Sequence, residues 1–426
     1  MNHPLHAIPE AYHKGHPIGI TSICSAHPIV IEATLRLAME VGSQPLIEAT
    51  CNQVNQDGGY TGMTPADFRR FVEDIALKIG FPIEDIILGG DHLGPNPWRH
   101  LPADIAMAKA ETMIAAFAEA GFTKLHLDTS MGCLGEPTAL ADQLTAQRAA
   151  RLAAMAEKYV VTGQKPVYVI GTEVPVPGGA VEELTHLKIT ESASVETTYE
   201  IHRKAFYAAG LEDAFSRVIA LVVQPGVEFG HNEVVHFDPV KAKALSASLQ
   251  KYPAIIFEAH STDYQRPESL SALVQNGFAI LKVGPWLTFA LREALYALDA
   301  IDEVLQGRPP HAELMQIMEE IMQESPGNWK NYYAGTPTEL WLQRHFSYSD
   351  RIRYYWPHAR AKAAVAKLLS HLQGKSIPET VMSQYLPRIA DQAKDLEAAQ
   401  ILVVAVQNVL RMYFRACGMN INSPKV

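Results

Sequence analysis

The residues in this sequence that could do chemistry stand at the ends of short apolar runs. One run closes in Gly90-Asp91-His92, and another carries His126 and closes in Asp128-Thr129-Ser130. A third leads into Thr172-Glu173, and a fourth holds Glu258 and closes in His260-Ser261-Thr262-Asp263. Imidazoles and carboxylates are the ligand types of zinc-class divalent metals. Such a metal polarises a carbonyl when it keeps an open position, and a neighbouring carboxylate can then move a proton. His92, His260 and Glu173 are therefore candidate metal ligands, and Asp91, Asp128 and Glu173 are candidate catalytic acid/base groups. The structural alternative is that His92 and His260 only hydrogen-bond to loop carbonyls.

A second set of residues suits an anionic substrate. Lys282 and Gly284 close the last run, Ser261 and Thr262 supply hydroxyls on the run before it, and Asn52 opens a polar, Gly-rich loop reaching Gly62. Asn52, Ser261, Thr262, Lys282 and Gly284 are thus candidate substrate- and phosphate-binding residues, with a buried salt bridge as the alternative for Lys282. The loop from Asn52 either closes over a substrate or is a surface turn, and Gly178-Gly179 marks a second flexible loop. Gly374-Lys375-Ser376 imitates the end of a phosphate-binding P-loop. The Gly which that motif requires further back is replaced by Leu369, and the segment follows a helix instead of a strand. An ATP-dependent kinase would lack its phosphate loop.

The elements that must position these groups repeat. Apolar, β-branched runs cover Ile18 to Ala26, Pro45 to Thr50, Asp85 to Asp91, Lys124 to Asp128, Val167 to Gly171, Arg217 to Val223, Ala254 to Ala259 and Ala279 to Val283. Most are nearly continuous in apolar residues, as expected of parallel strands covered on both faces. Helices separate them and mark their own ends. Thr64 precedes Pro65, Asp67 lies in the first turn, and Gly80 closes the pattern. Eight strand–helix repeats favour an α/β fold closed as a (β/α)8 TIM barrel over an open doubly wound sheet, with the active site at the C-terminal strand ends.

A long helix is expected from Trp286 to about Leu305, completing a barrel over residues 1–305. Residues 306–426 read as a helical C-terminal extension packed on it. Arg351, Arg353, Tyr354, Tyr355 and Trp356 suit tail packing or a subunit contact better than base stacking, so a homo-oligomer stays open.

Composition narrows the function. The 426 residues carry a formal net charge of -10, unlike a nucleic-acid binder with a clustered basic face. The four cysteines form no C-x-x-C pair, which suits a reducing compartment. Neither a secretory signal nor an apolar run long enough for a bilayer is read, so a cytoplasmic location is expected.

The segments CSAHP (24–28), IEATCNQVNQDGGYTGMTPADF (47–68), LGGDHLGPN (88–96), GTEVPVPGG (171–179), FEAHSTDYQ (257–265) and YSDRIRYYWP (348–357) resemble the Z-type, non-catalytic subunit family of class II tagatose-bisphosphate aldolase, over essentially the whole chain. The resemblance implies a class II aldolase-like barrel that supports a catalytic Y-type subunit acting on a phosphorylated ketohexose. It also implies a second activity, metal-dependent C4 epimerisation of ketohexose phosphates between tagatose 6-phosphate and fructose 6-phosphate. A tagatose 6-phosphate kinase label attaches to the family as well. Asp91-His92 is similar to the aldolase pair in which the His binds zinc and the Asp is an acid/base, and His260 matches a further zinc His in position. Strand six ends in Gln224 and not in His, which argues against aldol cleavage by this chain alone. A kinase would be stabilised by its nucleotide through preferential binding to the native state. We expect millimolar ATP to leave the melting temperature unchanged in a thermal-shift assay, and a clear rise would restore the kinase reading.

Overall fold

Each apolar run becomes a parallel strand. β1 (Ile20–Cys24), β2 (Leu46–Thr50), β3 (Ile87–Leu93), β4 (Lys124–Leu127), β5 (Val167–Ile170) and β6 (Val218–Val223) follow one another around a closed barrel. A short antiparallel hairpin, β7 (Glu228–Phe229) and β8 (Val234–Val235), interrupts the series without entering the ring. β9 (Ile256–Ala259) and β10 (Phe278–Val283) complete it, β10 pairing with β1. The computed structural model describes residues 3–161, 163, 165–172 and 187–421.

Every barrel strand leads to a helix on the outside, from Pro28–Val41 after β1 to Pro285–Leu305 after β10, so the chain is a (β/α)8 TIM barrel. The helix Pro65–Ile79 shows why the local signals sufficed. Thr64 and Asp67 form a reciprocal capping box, Pro65 fills the first turn, and Gly80 ends the helix at φ 78°. Most barrel strands are buried along their whole lengths, as in β6, because helices cover one face and the barrel interior the other.

The tail is fastened to the barrel at several points. The helix Ala398–Ala416 packs against Pro28–Val41, Pro267–Gln275 and Pro285–Leu305. Its Arg411 makes a two-pronged ion pair with Glu40 at 2.8 and 2.7 Å, and its Tyr413 hydroxyl donates to the Thr262 carbonyl at 2.6 Å. Ile352, Tyr355 and Trp356 are buried, and the Arg351 guanidinium lies 3.3 Å from the Tyr332 ring centroid, so the aromatic stretch packs within the chain. Among the described residues no helix is long and apolar enough to cross a membrane, and the four cysteines are free.

The innermost clamp is Asp350. Its carboxylate accepts from Thr288 Oγ1 at 2.6 Å and from Arg292 Nε at 3.1 Å, with the Arg292 and Asp350 side chains 2% and 0% exposed. Removing one member of such a pair strands a buried charge, at a cost of about 3–5 kcal/mol. Asp350→Ala is expected to lower unfolding free energy by that order in urea titration, and an unchanged midpoint would show that apolar packing alone holds the tail.

Candidate active site

The barrel interior is charged where the sequence reads as apolar. Glu48 (β2), Lys124 and His126 (β4), Glu258 (β9) and Lys282 (β10) sit inside otherwise apolar strands, and all are buried. Lys124 Nζ lies 2.5 Å from Glu48 Oε1 and 2.7 Å from Glu258 Oε2. Lys282 pairs with the other Glu48 oxygen, with Asp91 Oδ1 at 2.7 Å and with Glu258 Oε1 at 3.6 Å. Gly89 makes this possible, since a Cβ there would come within 2.6 Å of Glu48 Oε1.

Above this network stand three imidazoles. The ring centroids of His92, His126 and His260 lie 4.9–5.2 Å apart. Strand side chains normally alternate between faces, so Asp91 and His92 should point to opposite sides. They do not, because β3 changes register against β4 between Gly90 and Leu93, and His92 takes φ 49°. This bulge-like irregularity turns both side chains into the mouth. Ser261 and Tyr264 after β9 are also left-handed, at φ 53° and 61°. Such strain costs of order 1–3 kcal/mol per residue and gathers at functional sites.

Each imidazole has one ring nitrogen held by a carboxylate. His92 Nδ1 meets Asp128 Oδ2 at 2.8 Å, His126 Nδ1 meets Asp91 Oδ1 at 2.8 Å, and His260 Nε2 meets Glu258 Oε1 at 2.9 Å. Carboxylate-oriented histidines are the second-shell pattern of metal sites. Among the described residues His126 Nε2 is buried without a hydrogen-bond partner, and donor atoms of Asp91, His126, Glu258 and His260 all lie within 4.8 Å of one another. Four carboxylates (Glu48, Asp91, Asp128, Glu258) face two ammonium groups (Lys124, Lys282), leaving a formal -2 before any histidine is protonated. A divalent cation fits both the donors and the charge.

Electrostatics separate the acids. Burial raises the Asp91 carboxyl, but His92, Lys282 and the His126 hydrogen bond outweigh it and hold the group well below the usual carboxylate range. Burial likewise opposes ionisation of Asp128, yet bonding to His92 brings it down to about 2. Burial drives His260 down to about 3 and keeps its ring neutral, as a metal ligand must be. Asp91 Oδ1 is occupied by His126, Lys282 and the His92 amide, while Oδ2 is more loosely held, with the Cys24 thiol at 3.7 Å and His92 Nε2 at 3.8 Å, and Asp91 lines the open cavity. Asp128 has both oxygens engaged, with His92 and with Ser130 Oγ at 2.8 Å.

The cavity above Asp91, His92 and His260 is walled by Asn52, Gln53, Tyr60, Ser261, Asp263, Gly284 and Arg353. Asn52, Ser261 and Gly284 therefore stand where the sequence placed them. Lys282 reaches the cavity floor, but its ammonium is tied to carboxylates, and the Thr262 hydroxyl donates to the Lys282 carbonyl at 2.6 Å. The loop from Asn52 is a packed wall, with Asn55 Oδ1 accepting from the Asp57 and Gly59 amides at 2.9 and 3.1 Å. Glu173 and Gly178-Gly179 lie outside the described residues.

A model of the family described as "D-tagatose-1,6-bisphosphate aldolase subunit GatZ/KbaZ-like" matches residues 5–418. The chain belongs to this family. It is 53% identical over 419 residues to a D-tagatose 6-phosphate 4-epimerase of Agrobacterium fabrum, covering 97% of this chain and 98% of that protein. It is 49% identical over 413 residues to a D-tagatose-1,6-bisphosphate aldolase subunit GatZ of Klebsiella pneumoniae, covering 95% and 97%. A crystal structure described as a probable tagatose 6 phosphate kinase from Sinorhizobium meliloti 1021 superposes with a TM-score of 0.87 at 57% identity, covering 94% of this chain and 100% of that one.

For this family member, the sequence showed His126 on its strand, but neither it nor Glu48 and Lys124 was given a role in the site. The signal was there: acids and bases at inward positions of neighbouring apolar strands must pair, because an isolated buried charge is too costly. Arg353 was assigned to tail packing or a subunit contact, since its place at the mouth depends on how the tail folds back. His126→Ala is expected to lower divalent-metal affinity by at least tenfold, read as bound metal after dialysis against limiting free ion, with the far-ultraviolet spectrum unchanged. Metal retention equal to the parent protein would remove His126 from the ligand set.

Proposed function

We propose that this chain is a metal-dependent C4 epimerase that interconverts tagatose 6-phosphate and fructose 6-phosphate. The observation that carries this reading is the intact buried constellation of Asp91, three imidazoles and their carboxylate partners beneath an open cavity. The Agrobacterium relative, named a D-tagatose 6-phosphate 4-epimerase, supports it across nearly the full length.

His126 and His260, with Asp91 and Glu258, are the residues whose converging donors would hold the metal, His92 is a further proposed ligand from the same cluster, and zinc suits their N and O donors. A bound divalent metal supplies Lewis-acid polarisation of the ketose carbonyl. Asp91 Oδ2 accepts the C4 hydroxyl proton, the C3–C4 bond breaks, and its electron pair enters the C1–C3 fragment as an enediolate. The released aldehyde turns over, C3 attacks its other face, and Asp91 returns the proton to the new C4 oxygen. Asp128 orients His92, Lys282 holds Asp91 ionised, and Asn52 and Ser261 are placed to bind sugar hydroxyls. Glu173 is a further proposed ligand or acid/base from the β5 end. The site works in the cytoplasm, with residues 1–305 supplying the barrel and 306–426 an extension that completes its mouth.

A second reading has its own support. The family description and the Klebsiella relative name an aldolase subunit, so the chain can also act as the accessory partner of a catalytic Y-type subunit on tagatose 1,6-bisphosphate. The kinase label of the Sinorhizobium structure has less behind it, since Gly374-Lys375-Ser376 does not line the cavity and Lys375 pairs with Asp302 at 3.2 Å.

Incubating the purified chain alone with tagatose 6-phosphate is expected to yield fructose 6-phosphate, with turnover abolished by chelation and restored by metal. No product from the chain alone, together with aldolase activity on tagatose 1,6-bisphosphate that rises only on adding the Y-type partner, would sink the epimerase reading and leave the accessory role.

A further inference from the structure

The site must recognise a phosphate, and the cation foreseen for that task is spent elsewhere. Lys282 is enclosed by Glu48, Asp91 and Glu258, so a phosphate brought to it would meet three carboxylates as well as one ammonium. Among the described residues that wall the cavity, Arg353 is the other permanently charged cation. It comes from the 3₁₀ turn Arg351–Tyr355, which the tail folds over the mouth.

Its surroundings suit an anion. The Arg353 Nη1 group donates to the Ser349 carbonyl and, at 3.0 Å, to the Asp350 carbonyl, while Nη2 donates to the Tyr354 hydroxyl at 2.8 Å. All three partners are neutral acceptors. Among the described residues no carboxylate lies within ion-pair distance of the guanidinium: the Asp350 carboxylate is turned to Thr288 and Arg292, and Asp263 Oδ1 to the amides of Gly284 and Trp286. Among the described residues the Nε–H and one Nη2–H have no hydrogen-bond partner. Tyr354, which steadies the guanidinium, is itself braced edge-on by Tyr60 at 4.7 Å between ring centroids. A guanidinium that is positioned, partly buried, out of ion-pair contact with any described carboxylate and left with donors to spare is the arrangement that recognises phosphate oxygens.

We propose that Arg353 binds the 6-phosphate of the ketohexose substrate and selects phosphorylated over free sugars. This deepens the epimerase reading and rests on it for the substrate's identity. A phosphate fixed at Arg353 would also keep the cleaved aldehyde from diffusing away while its carbonyl turns over.

The test compares the parent protein with Arg353→Met, which keeps the apolar stem, and Arg353→Lys, which keeps the charge. For Arg353→Met we expect kcat/KM on tagatose 6-phosphate to fall on the order of 10- to 100-fold while that on free tagatose changes less than about twofold. Arg353→Lys should recover part of the loss, and inhibition by inorganic phosphate should weaken in Arg353→Met. An equal loss on both sugars, or an unchanged preference for the phosphorylated one, would overturn the assignment. Calorimetric titration with tagatose 6-phosphate separates the two claims. Tight binding that depends on Arg353 in a chain without turnover upholds this inference while the epimerase reading fails. Equally tight binding by Arg353→Met, after a matching thermal melt shows it folded, refutes it.

Discussion

The pairing of Lys124 and Lys282 with Glu48, Asp91 and Glu258 inside the barrel is the interaction on which the rest of the structure depends. Buried ionised groups are tolerated only when partnered, and removing one partner exposes the full desolvation cost of the other. The five residues come from β2, β3, β4, β9 and β10, so the pairing fixes where these strands stand around the ring. An apolar filling of the same volume would serve stability at least as well. Charge at the centre is better explained by what lies on top of it. The lower layer holds Asp91 and Glu258 ionised, and these carboxylates hold His126 and His260.

The same constraint accounts for local departures from ideal strands. Glu48 needs the space left by Gly89, and Asp91 and His92 can both face the mouth only because β3 slips against β4 and His92 adopts a left-handed backbone. Gly94 completes the accommodation, since a Cβ there would fall 1.7 Å from the Asp128 carbonyl oxygen. The strain and the glycines thus cluster where three imidazoles must meet, in line with preorganised sites being held by the packed structure around them.

The tail belongs to the site as much as to the outer surface. Its last helix occupies a position beside the barrel helices, and its Tyr413 hydroxyl reaches the backbone at the end of β9. The Asp350–Arg292 pair anchors the turn that brings Arg353 and Tyr354 to the cavity. A second cavity of about 490 Å³ adjoins the first and shares Cys24, Gln53, Tyr60, Gly284 and Arg353 with it, bounded on its far side by Trp356, Lys362 and Leu369 of the tail. Barrel and tail therefore enclose one continuous mouth.

How much of this was legible before folding follows from the range of each interaction. The strands, the capped helices and the closing barrel could be read from the sequence, because apolar periodicity and capping act over a few neighbouring residues. Asp91, His92, Asp128 and His260 could be singled out because strand ends in such barrels carry the chemistry. The pairing of Lys282 with Glu48, 234 positions away, could not. Nor could the turning of Asp91 and His92 to one side, or the arrival of Arg353 from a tail read as packing or a subunit contact. Those outcomes depend on strand register, on a slip of the β3–β4 ladder and on where a distant helix docks. Such features are settled by the joint packing of the whole chain, so sequence alone determined the scaffold and singled out candidate groups at the strand ends, while tertiary structure decided which of those groups pair with one another and which line the cavity.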